Sequence, residues 1–285
     1  MTLPTEHPAP ANLDEDVVSG FGDEWSRFDQ SGLTGAEYEK AFDDYFHLFP
    51  WNALSRDAQG FDLGCGSGRW ARGVAPRVGV LHCVDASREA LDVAKRNLAG
   101  QDNVRFHNAS VDRLPFANAS MDFGYCLGVL HHVPDTEAGL RNASATLKPG
   151  APFLLYLYYD FDNQPAWYRG VWKASELLRS IVSKSPMRLR YVLSQIIAAG
   201  VYLPLARLAK VAELLGQDVH SFPLSEYRSR SFYVLRTDAL DRFGTRLEQR
   251  FSRLQVQAMM ERCGFADIRF NARAPFWCAV GRKLG

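Results

Sequence analysis

A glycine-rich turn between an apolar stretch and a helix-like segment constrains this chain most. Residues 61–71 read Phe-Asp-Leu-Gly-Cys-Gly-Ser-Gly-Arg-Trp-Ala, with glycine at positions 64, 66 and 68. Alternate glycines let the backbone turn tightly and let a ligand approach it closely. Asp85 follows 21 positions after Gly64, close to the spacing of about 20 expected for a carboxylate that binds ribose. This segment therefore predicts a nucleotide-type site at a strand-to-helix turn.

Strand-like and helix-like segments alternate around this turn. The pattern predicts strands at 60–63, 80–84, 104–108, 121–127 and 151–159, with helices at 69–78, 87–98 and 136–147 between them. Such alternation predicts an α/β fold with a doubly wound, Rossmann-like and mostly parallel sheet. A helix at 252–263 and two closely spaced strands at 267–272 and 277–282 predict an antiparallel C-terminal pair.

The remaining segments define the expected domain organisation. Residues 1–20 predict a flexible lead, and 21–55 predict an N-terminal helical cap with a capping box from Thr34 to Glu37. Residues 56–160 and 246–285 form the expected α/β core. Residues 161–245 predict a mainly helical insertion after the fifth strand, with helices at about 166–183, 187–199 and 204–215 and a further segment at 231–236.

Composition narrows the class of protein. The 285 residues include 33 basic and 32 acidic side chains and are 47% hydrophobic, which excludes a disordered, collagen-like or coiled-coil chain. The five cysteines contain no C-x-x-C pair, so we expect no disulfide framework and no metal site. The longest uncharged run, Tyr191 to Ala206, is shorter than the roughly 20 apolar residues of a membrane-spanning helix. We recognise no signal peptide in the sequence, and we therefore expect a cytoplasmic protein without a transmembrane segment.

The near-neutral total hides an uneven distribution of charge. Residues 1–60 hold 3 basic and 12 acidic side chains, whereas residues 161–230 hold 10 basic and 5 acidic ones. The acidic head and the basic insertion are compatible with docking on one another, with binding of an anionic substrate, or with solvated helix faces.

The glycine string and the segments after it resemble one enzyme superfamily. Asp62-x-Gly-x-Gly-x-Gly resembles motif I of the class I S-adenosylmethionine-dependent methyltransferases, and Arg69 stands where a dinucleotide site requires its last glycine. A nicotinamide-dependent oxidoreductase is therefore disfavoured. Residues 103–116, 121–123, 130–135 and 147–151 are similar to later segments of the superfamily in the same order.

The resemblance implies S-adenosylmethionine as the cofactor, S-adenosylhomocysteine as the product, and a set of cofactor-binding residues. Asp62 would lie near the α-ammonium and Asp85 would bind both ribose hydroxyls. Ser110 stands where the superfamily often has the aspartate that binds the adenine amino group, so adenine recognition falls to its hydroxyl, the Val111 amide or Asp112. The other implied contacts are Gly64, Cys65, Gly66 and Gly68 for methionine and ribose, Ala86 for adenine, and Leu127 for methionine.

The histidine and tyrosine side chains that we expect at the carboxyl ends of the strands favour O-methylation of a small molecule. His131 and His132 are the candidate general bases, because an imidazole titrates near neutrality. Tyr156 and Tyr159 are candidates for orienting the acceptor, and Arg228 and Arg230 for binding an acidic group on it. Trp25 would shield the sulfonium through a cation–π contact. No Asn/Asp-Pro-Pro-Tyr string is present, which argues against methylation of adenine N6.

Several alternatives stay open. The insertion is a lid over a partly apolar or anionic small molecule, a homodimer surface, or a contact with a membrane surface. An RNA or protein methyltransferase would need a continuous basic face, which the acidic head opposes, so we expect no nucleic-acid partner. A non-catalytic partner protein that keeps the cofactor site would bind the cofactor without turnover.

Overall fold

The computed structural model describes residues 12–285 as alternating helices and strands. The strands are β1 (Gln59–Leu63), β2 (Val80–Asp85), β3 (Val104–Asn108), β4 (Phe123–Leu127), β5 (Pro152–Tyr156), β6 (Phe265–Phe270) and β7 (Cys278–Lys283). The helices are α1 (Glu15–Arg27), α2 (Gly35–Phe46), α3 (Ala71–Val74), α4 (Arg88–Asn97), α5 (Thr136–Thr146), α6 (Ala166–Val182), α7 (Met187–Ile197), α8 (Leu203–Leu214), α9 (Phe232–Gly244) and α10 (Arg253–Arg262).

The seven strands form one sheet in the order β3-β2-β1-β4-β5-β7-β6. The first five strands run parallel, and β7 pairs antiparallel with both β5 and β6. This arrangement confirms the predicted Rossmann-like sheet with an antiparallel C-terminal pair. The strand order reverses between β1 and β4, and ligands of open α/β sheets bind at the carboxyl ends of the strands at such a point.

Two hydrophobic clusters bury the two faces of the sheet. One joins α2 to the sheet through Phe46, whose ring meets Tyr125 edge-on at 5.3 Å. The other centres on Phe61, Phe153 and Phe265 beneath α5 and α10. Because β4 and most of β1 and β5 are buried on both sides, these strands read as continuous apolar runs, as is usual in a parallel sheet.

The N-terminal region is more regular than the sequence indicated. The capping box is present, since the Glu37 amide donates to Thr34 Oγ1 at 3.2 Å and Glu37 Oε2 accepts from the Thr34 amide. The predicted flexible lead is wrong from residue 15 onward, because α1 begins there. The Asp14 side chain accepts from the Val17 amide at 3.1 Å and so caps that helix. Residues 1–11 of the predicted lead lie outside the described residues.

Several helices and strands of the core are shorter in the structure than the sequence predicted. The helix expected at 69–78 is a single α-helical turn, α3, followed by a 3₁₀ turn that contains Pro76. The fourth strand begins at Phe123 and the fifth ends at Tyr156. Tyr158 and Tyr159 follow β5 in irregular backbone, where Tyr159 makes an isolated bridge to Phe251.

The insertion consists of α6 to α9 and has a hydrophobic cluster of its own, centred on Tyr202, Leu235 and Phe243. The segment expected at 231–236 is the first part of α9. A π-helical turn, Ala198–Tyr202, joins α7 to α8, so 187–214 is one continuous helix.

Among the described residues, this 28-residue helix is the one that is long and apolar enough to cross a membrane, whereas the sequence predicted none. A third of its most apolar window is buried within the protein. On that side Arg236 of α9 donates hydrogen bonds to Gln195 and to the Tyr191 hydroxyl.

The acidic head docks on the basic half of the chain. Asp16 of α1 forms an ion pair with Arg246, just after α9, and Asp44 of α2 pairs with Arg230 at 3.3 Å. Phe28 meets the Tyr233 ring edge-on at 5.5 Å. Intramolecular docking, one of the meanings left open for the charge distribution, is therefore present in the structure.

Candidate active site

The turn after β1 requires its glycines. Gly64, Gly66 and Gly68 have φ of 74°, 53° and 76°, in the left-handed region that other residues rarely adopt. A Cβ on Gly64 would lie 2.3 Å from the Val129 side chain, and one on Gly66 would lie 2.8 Å from Trp25 Nε1. Glycine at these positions therefore allows both the turn and the close approach of α1.

Asp85 fixes the glycine turn from the end of β2. Its Oδ2 accepts from the Gly66 amide at 2.9 Å and its Oδ1 from the Ser87 amide at 2.8 Å. Burial raises the pKa of this carboxyl group, while the amide donors partly offset that effect. Because a carboxylate can accept about four hydrogen bonds, each oxygen keeps capacity to bind a ligand hydroxyl.

These elements border a cleft at the carboxyl ends of the strands, the usual place for a ligand in an open α/β sheet. The predicted cofactor residues that line it are Trp25, Gly64, Cys65, Gly66, Asp85, Ala86, Ser110, Val111 and Leu127. Asp62 and Gly68 do not line it. Nine of the eleven predicted cofactor residues are thus brought together at one site.

Helix α1 forms a wall of this cleft. Leu13, Val17, Phe21 and Trp25 face it from the N-terminal segment, and Trp25 lies against the glycine turn. A bound ligand would therefore be covered on one side by aromatic and aliphatic side chains, which exclude water and can attract a cation through a ring face.

Asp62 lies in β1 beneath the glycine turn and is almost completely buried. Its Oδ2 has no hydrogen-bond partner among residues 12–285, and burial raises the pKa of the carboxyl group to about 8. A buried, unpartnered carboxyl group is costly. Because Asp62 lies under the turn, its carboxyl group is suited to bind a cationic group of a ligand above it, either directly or through a water molecule.

Ser110 lines the cleft where many members of the superfamily carry an aspartate. Its hydroxyl donates to Asp112 Oδ1 at 2.5 Å. With its proton committed to Asp112, the Ser110 oxygen is left as an acceptor for a ligand N–H group. Ser110 can therefore replace the acceptor function of the missing aspartate.

His132 lines the same cleft and is oriented by the chain after α9. Its Nδ1 lies 2.7 Å from the Leu247 carbonyl oxygen, and its Nε2 lies 3.8 Å from Asp241 Oδ1. The Phe21 ring packs on it at a centroid distance of 4.9 Å. Burial lowers the pKa of His132 to about 4, so the imidazole is neutral at neutral pH.

His131 does not line the cleft. Its ring is fully buried and stacks on Tyr158 at 3.8 Å, and neither ring nitrogen has a hydrogen-bond partner among the described residues. Burial lowers its pKa well below the usual value. The two histidine rings lie 4.0 Å apart, but of the two it is His132 that lines the cleft.

The four predicted substrate residues also lie away from the cleft lining. Tyr156 packs edge-on against Tyr45 at 5.1 Å, and Tyr159 packs on Phe161 at 4.5 Å. Arg228 pairs with Glu213 at 2.9 Å, and Arg230 pairs with Asp44. In this conformation the two arginines join elements of the protein to one another.

Sequence reasoning missed Asp241, which α9 places beside the cleft histidine. Its Oδ2 accepts a hydrogen bond from the Tyr158 hydroxyl, and its Oδ1 has no partner in the described part of the chain. Burial raises the pKa of Asp241 to about 6. No local motif could have identified it, because it contacts His132 only through the packing of the insertion on the core.

Comparison with known proteins supports the superfamily that the sequence resembles. The model of a family described as a methyltransferase domain matches residues 61–150, which include the glycine turn, Asp85, Ser110 and His132. This match supports the predicted membership of the class I S-adenosylmethionine-dependent methyltransferase superfamily. The matched range runs from within β1 to the turn before β5 and so includes much of the cleft lining.

Curated relatives of this chain include proteins named as methyltransferases. An uncharacterized methyltransferase, YcgJ of Bacillus subtilis, is 34% identical over 100 residues, which cover 34% of this chain and 40% of the relative. A ubiquinone biosynthesis O-methyltransferase of Coxiella burnetii is 31% identical over 90 residues, covering 31% and 38%. The chain thus matches about two fifths of the length of these relatives.

A solved structure of an S-adenosylmethionine-dependent methyltransferase from Methanosarcina mazei shares the fold of the methyltransferase core. It has a TM-score of 0.50 at 17% identity and covers 83% of this chain and 98% of that one.

The residues present fit S-adenosylmethionine, the cofactor of this superfamily. Asp85 offers acceptors that ribose hydroxyls would use, and Ser110 and Val111 line the cleft where the resemblance would place adenine. The unpartnered Asp62 carboxyl group lies under the turn that would receive the amino acid end. Trp25 and Phe21 cover the cleft from α1.

Proposed function

We propose that this protein transfers the methyl group of S-adenosylmethionine to a hydroxyl group of a small molecule. The observation that carries the choice of acceptor is the pair formed by His132 Nε2 and Asp241 Oδ1. These atoms lie 3.8 Å apart, and neither has a hydrogen-bond partner among residues 12–285.

The protonation state of His132 follows from its contacts. The Leu247 carbonyl can only accept, so the Nδ1 atom 2.7 Å away carries the proton and donates. In the neutral ring, Nε2 is then an acceptor. Two acceptors, Nε2 and Asp241 Oδ1, therefore face one another at a buried position, and a donor is needed to satisfy them.

A hydroxyl group supplies such a donor. When bound, the cofactor supplies an electrophilic methyl group on a sulfonium, and its acceptor has to lose a proton as the new bond forms. His132 Nε2 can hold that proton, with the neutral imidazole available at neutral pH. Asp241 then stabilises the imidazolium and fixes its orientation, while the Tyr158 hydroxyl fixes Asp241.

The proposed acceptor class has two further supports. The cleft is covered on one side by side chains of α1, which suits a small molecule better than a folded macromolecule. The relative from Coxiella burnetii, which is 31% identical over 90 residues, is named an O-methyltransferase.

The test is a methyl-transfer assay with the full chain and a labelled methyl donor. A panel of phenols and alcohols is compared with matched amines and thiols, and products are identified by mass spectrometry. Methylated hydroxyl products are expected. Turnover confined to amines would refute the acceptor assignment, and cofactor binding without turnover on any acceptor would refute the enzymatic function.

A further inference from the structure

The insertion exposes an apolar surface that the methyl-transfer site does not explain. Of the 16 large hydrophobic side chains that are exposed among the described residues, 13 lie between residues 167 and 215. We call them the outer face: Trp167, Val171, Leu177, Leu178, Ile181, Leu189, Val192, Ile196, Val201, Leu208, Val211, Leu214 and Leu215. Leu177 is 70% exposed and Leu214 is 74% exposed. Monomeric soluble proteins rarely expose apolar groups in such a concentration.

The outer face is a regular feature of the helices that carry it. On α6 its residues recur at spacings of three and four, as in Trp167 and Val171, four apart, and Leu178 and Ile181, three apart. The opposite sides of α6, α7 and α8 supply Val182, Ile197 and Ala206 to the buried cluster shared with α9. The outer face therefore points away from α9, and no described part of the chain covers it.

The charges around this surface are of one sign. Residues 166–214, which carry α6 to α8, contain eight basic and two acidic side chains. Both acidic groups are neutralised, since Glu176 pairs with Arg179 and Arg242, and Glu213 pairs with Lys210 and Arg228. The exposed basic residues of this segment are Arg169, Lys173, Lys184, Arg188 and Arg207. The face is thus apolar with a cationic border.

This charge pattern decides between the possible occupants. A symmetric dimer interface has to be complementary to itself, but two copies of this face would bring cations against cations. A bilayer with anionic headgroups complements it on both counts, because leucine and isoleucine side chains enter the acyl boundary while lysine and arginine side chains reach the phosphates. We propose that the outer face docks the protein onto an anionic lipid bilayer, with α6, α7 and α8 lying in the plane of the interface.

The same helices are unsuited to crossing the bilayer in this conformation. The inner side of the 187–214 helix bonds to Arg236 through Gln195 and Tyr191. Crossing would break these contacts and place polar groups in hydrocarbon, which is costly. Docking in the interfacial plane leaves them intact.

The proposal is tested by flotation of the full chain with vesicles. Vesicles of zwitterionic phosphatidylcholine alone are compared with vesicles of three parts phosphatidylcholine to one part anionic phosphatidylglycerol. The protein is expected to float with the anionic vesicles, and this fraction should fall as salt is raised. The double variant Lys184→Gln/Arg188→Gln should weaken binding by about fivefold for each basic residue removed.

A second double variant, Leu177→Ser/Leu214→Ser, tests the apolar component and should strongly reduce flotation with anionic vesicles. Both leucines are exposed, so the substitutions should leave folding and S-adenosylmethionine binding intact. Leu254→Ser is the matched control, since Leu254 is 77% exposed on α10, outside the outer face. Absence of flotation, or flotation that neither double variant reduces, would overturn the proposal. A dimer seen by ultracentrifugation that the leucine variant dissociates, without vesicle binding, would assign the face to a second copy instead.

Discussion

The carboxylate of Asp85 accepts a hydrogen bond from the backbone amide of Gly66, with a nitrogen–oxygen distance of 2.9 Å. The residue at the end of β2 thereby holds the glycine turn after β1 in shape and still presents lone pairs to the cleft. The shape of the loop depends on this side chain, and we propose that recognition of the ligand depends on it as well.

Replacement of Asp85 by alanine should remove both contributions. Hydrogen bonds to charged groups contribute about 1.5–3 kcal/mol, so binding of S-adenosylmethionine and S-adenosylhomocysteine should weaken by about 10- to 100-fold. Isothermal titration calorimetry measures this directly. Asp92→Ala, at an exposed position of α4, is the control and should bind normally. Unchanged affinity in Asp85→Ala would contradict the ribose assignment.

Substitution of Gly66 by alanine should damage the cleft through two effects that can be separated. The new Cβ would lie 2.8 Å from Trp25 Nε1, and the left-handed backbone would be strained by about 1–2 kcal/mol. Gly100 also has positive φ, but has nothing within 4 Å of its Cβ position, so Gly100→Ala reports the backbone strain alone. Both variants should be destabilised in thermal unfolding, whereas only Gly66→Ala should lose cofactor affinity. Equal affinities in the two variants would exclude the steric contact with Trp25.

The buried carboxyl group of Asp62 should make stability depend on pH. Burial raises its pKa in the folded state to about 8, above about 3.9 in an unfolded chain. The folded state therefore keeps a proton that the unfolded state loses, and the contribution of Asp62 to stability falls as pH rises from about 4 to about 8.

Asp62→Asn should remove this dependence. Between pH 5 and pH 7.5 the free energy of unfolding of the wild type should fall relative to that of the variant. The relative change is at most about 3 kcal/mol, because each pH unit contributes at most about 1.36 kcal/mol. Urea unfolding of both proteins at the two pH values measures the difference. Asp92→Asn, at an exposed position of α4, is the control, and its free energy of unfolding should depend on pH as that of the wild type does. Parallel changes in Asp62→Asn and the wild type would show that Asp62 ionises as freely as an exposed group.

The His132–Asp241 pair predicts the acid limb of the pH–rate profile. Both groups act in their unprotonated forms, and burial sets their pKa values at about 4 and about 6. On a hydroxyl acceptor, kcat/KM should therefore be full above these values and fall as pH drops through about 6. His132→Ala should lower kcat by about 10²- to 10⁴-fold, the usual contribution of a general base.

Two further variants separate the roles within this pair. Asp241→Asn keeps the size of the side chain but removes the charge, so the limb near pH 6 should disappear along with part of the rate. His131→Phe keeps a ring to stack on Tyr158 and should retain most of the activity, because His131 does not line the cleft. Loss of activity in His131→Phe together with full activity in His132→Ala would reverse the assignment.

The fold could be predicted because its signals are local. Gly64, Gly66 and Gly68 mark the turn, Pro149 and Gly150 stop α5, and the buried strands read as apolar runs. Each of these depends on a few neighbouring residues and on backbone conformations that few residue types adopt. The sheet and most of the cofactor site follow from them.

The acceptor side of the site could not be predicted in the same way. Asp241 reaches His132 across more than a hundred residues of sequence, and Asp16 reaches Arg246 across 230. Such contacts depend on how the insertion and α1 pack on the core, which no periodicity encodes. For the same reason Arg228 and Arg230, which look available in sequence, are committed to ion pairs with Glu213 and Asp44.

The position of β7 has a consequence for how the chain matures during synthesis. This strand comes last in the sequence but lies between β5 and β6 in the sheet. A nascent chain that has emerged only as far as residue 277 can pair the five parallel strands, yet the outer edge of β5 remains open and β6 has no neighbour. Open edges of this kind recruit strands from other chains. The interval between emergence of β5 and emergence of β7 is therefore the period in which the growing polypeptide most needs protection from aggregation on the ribosome.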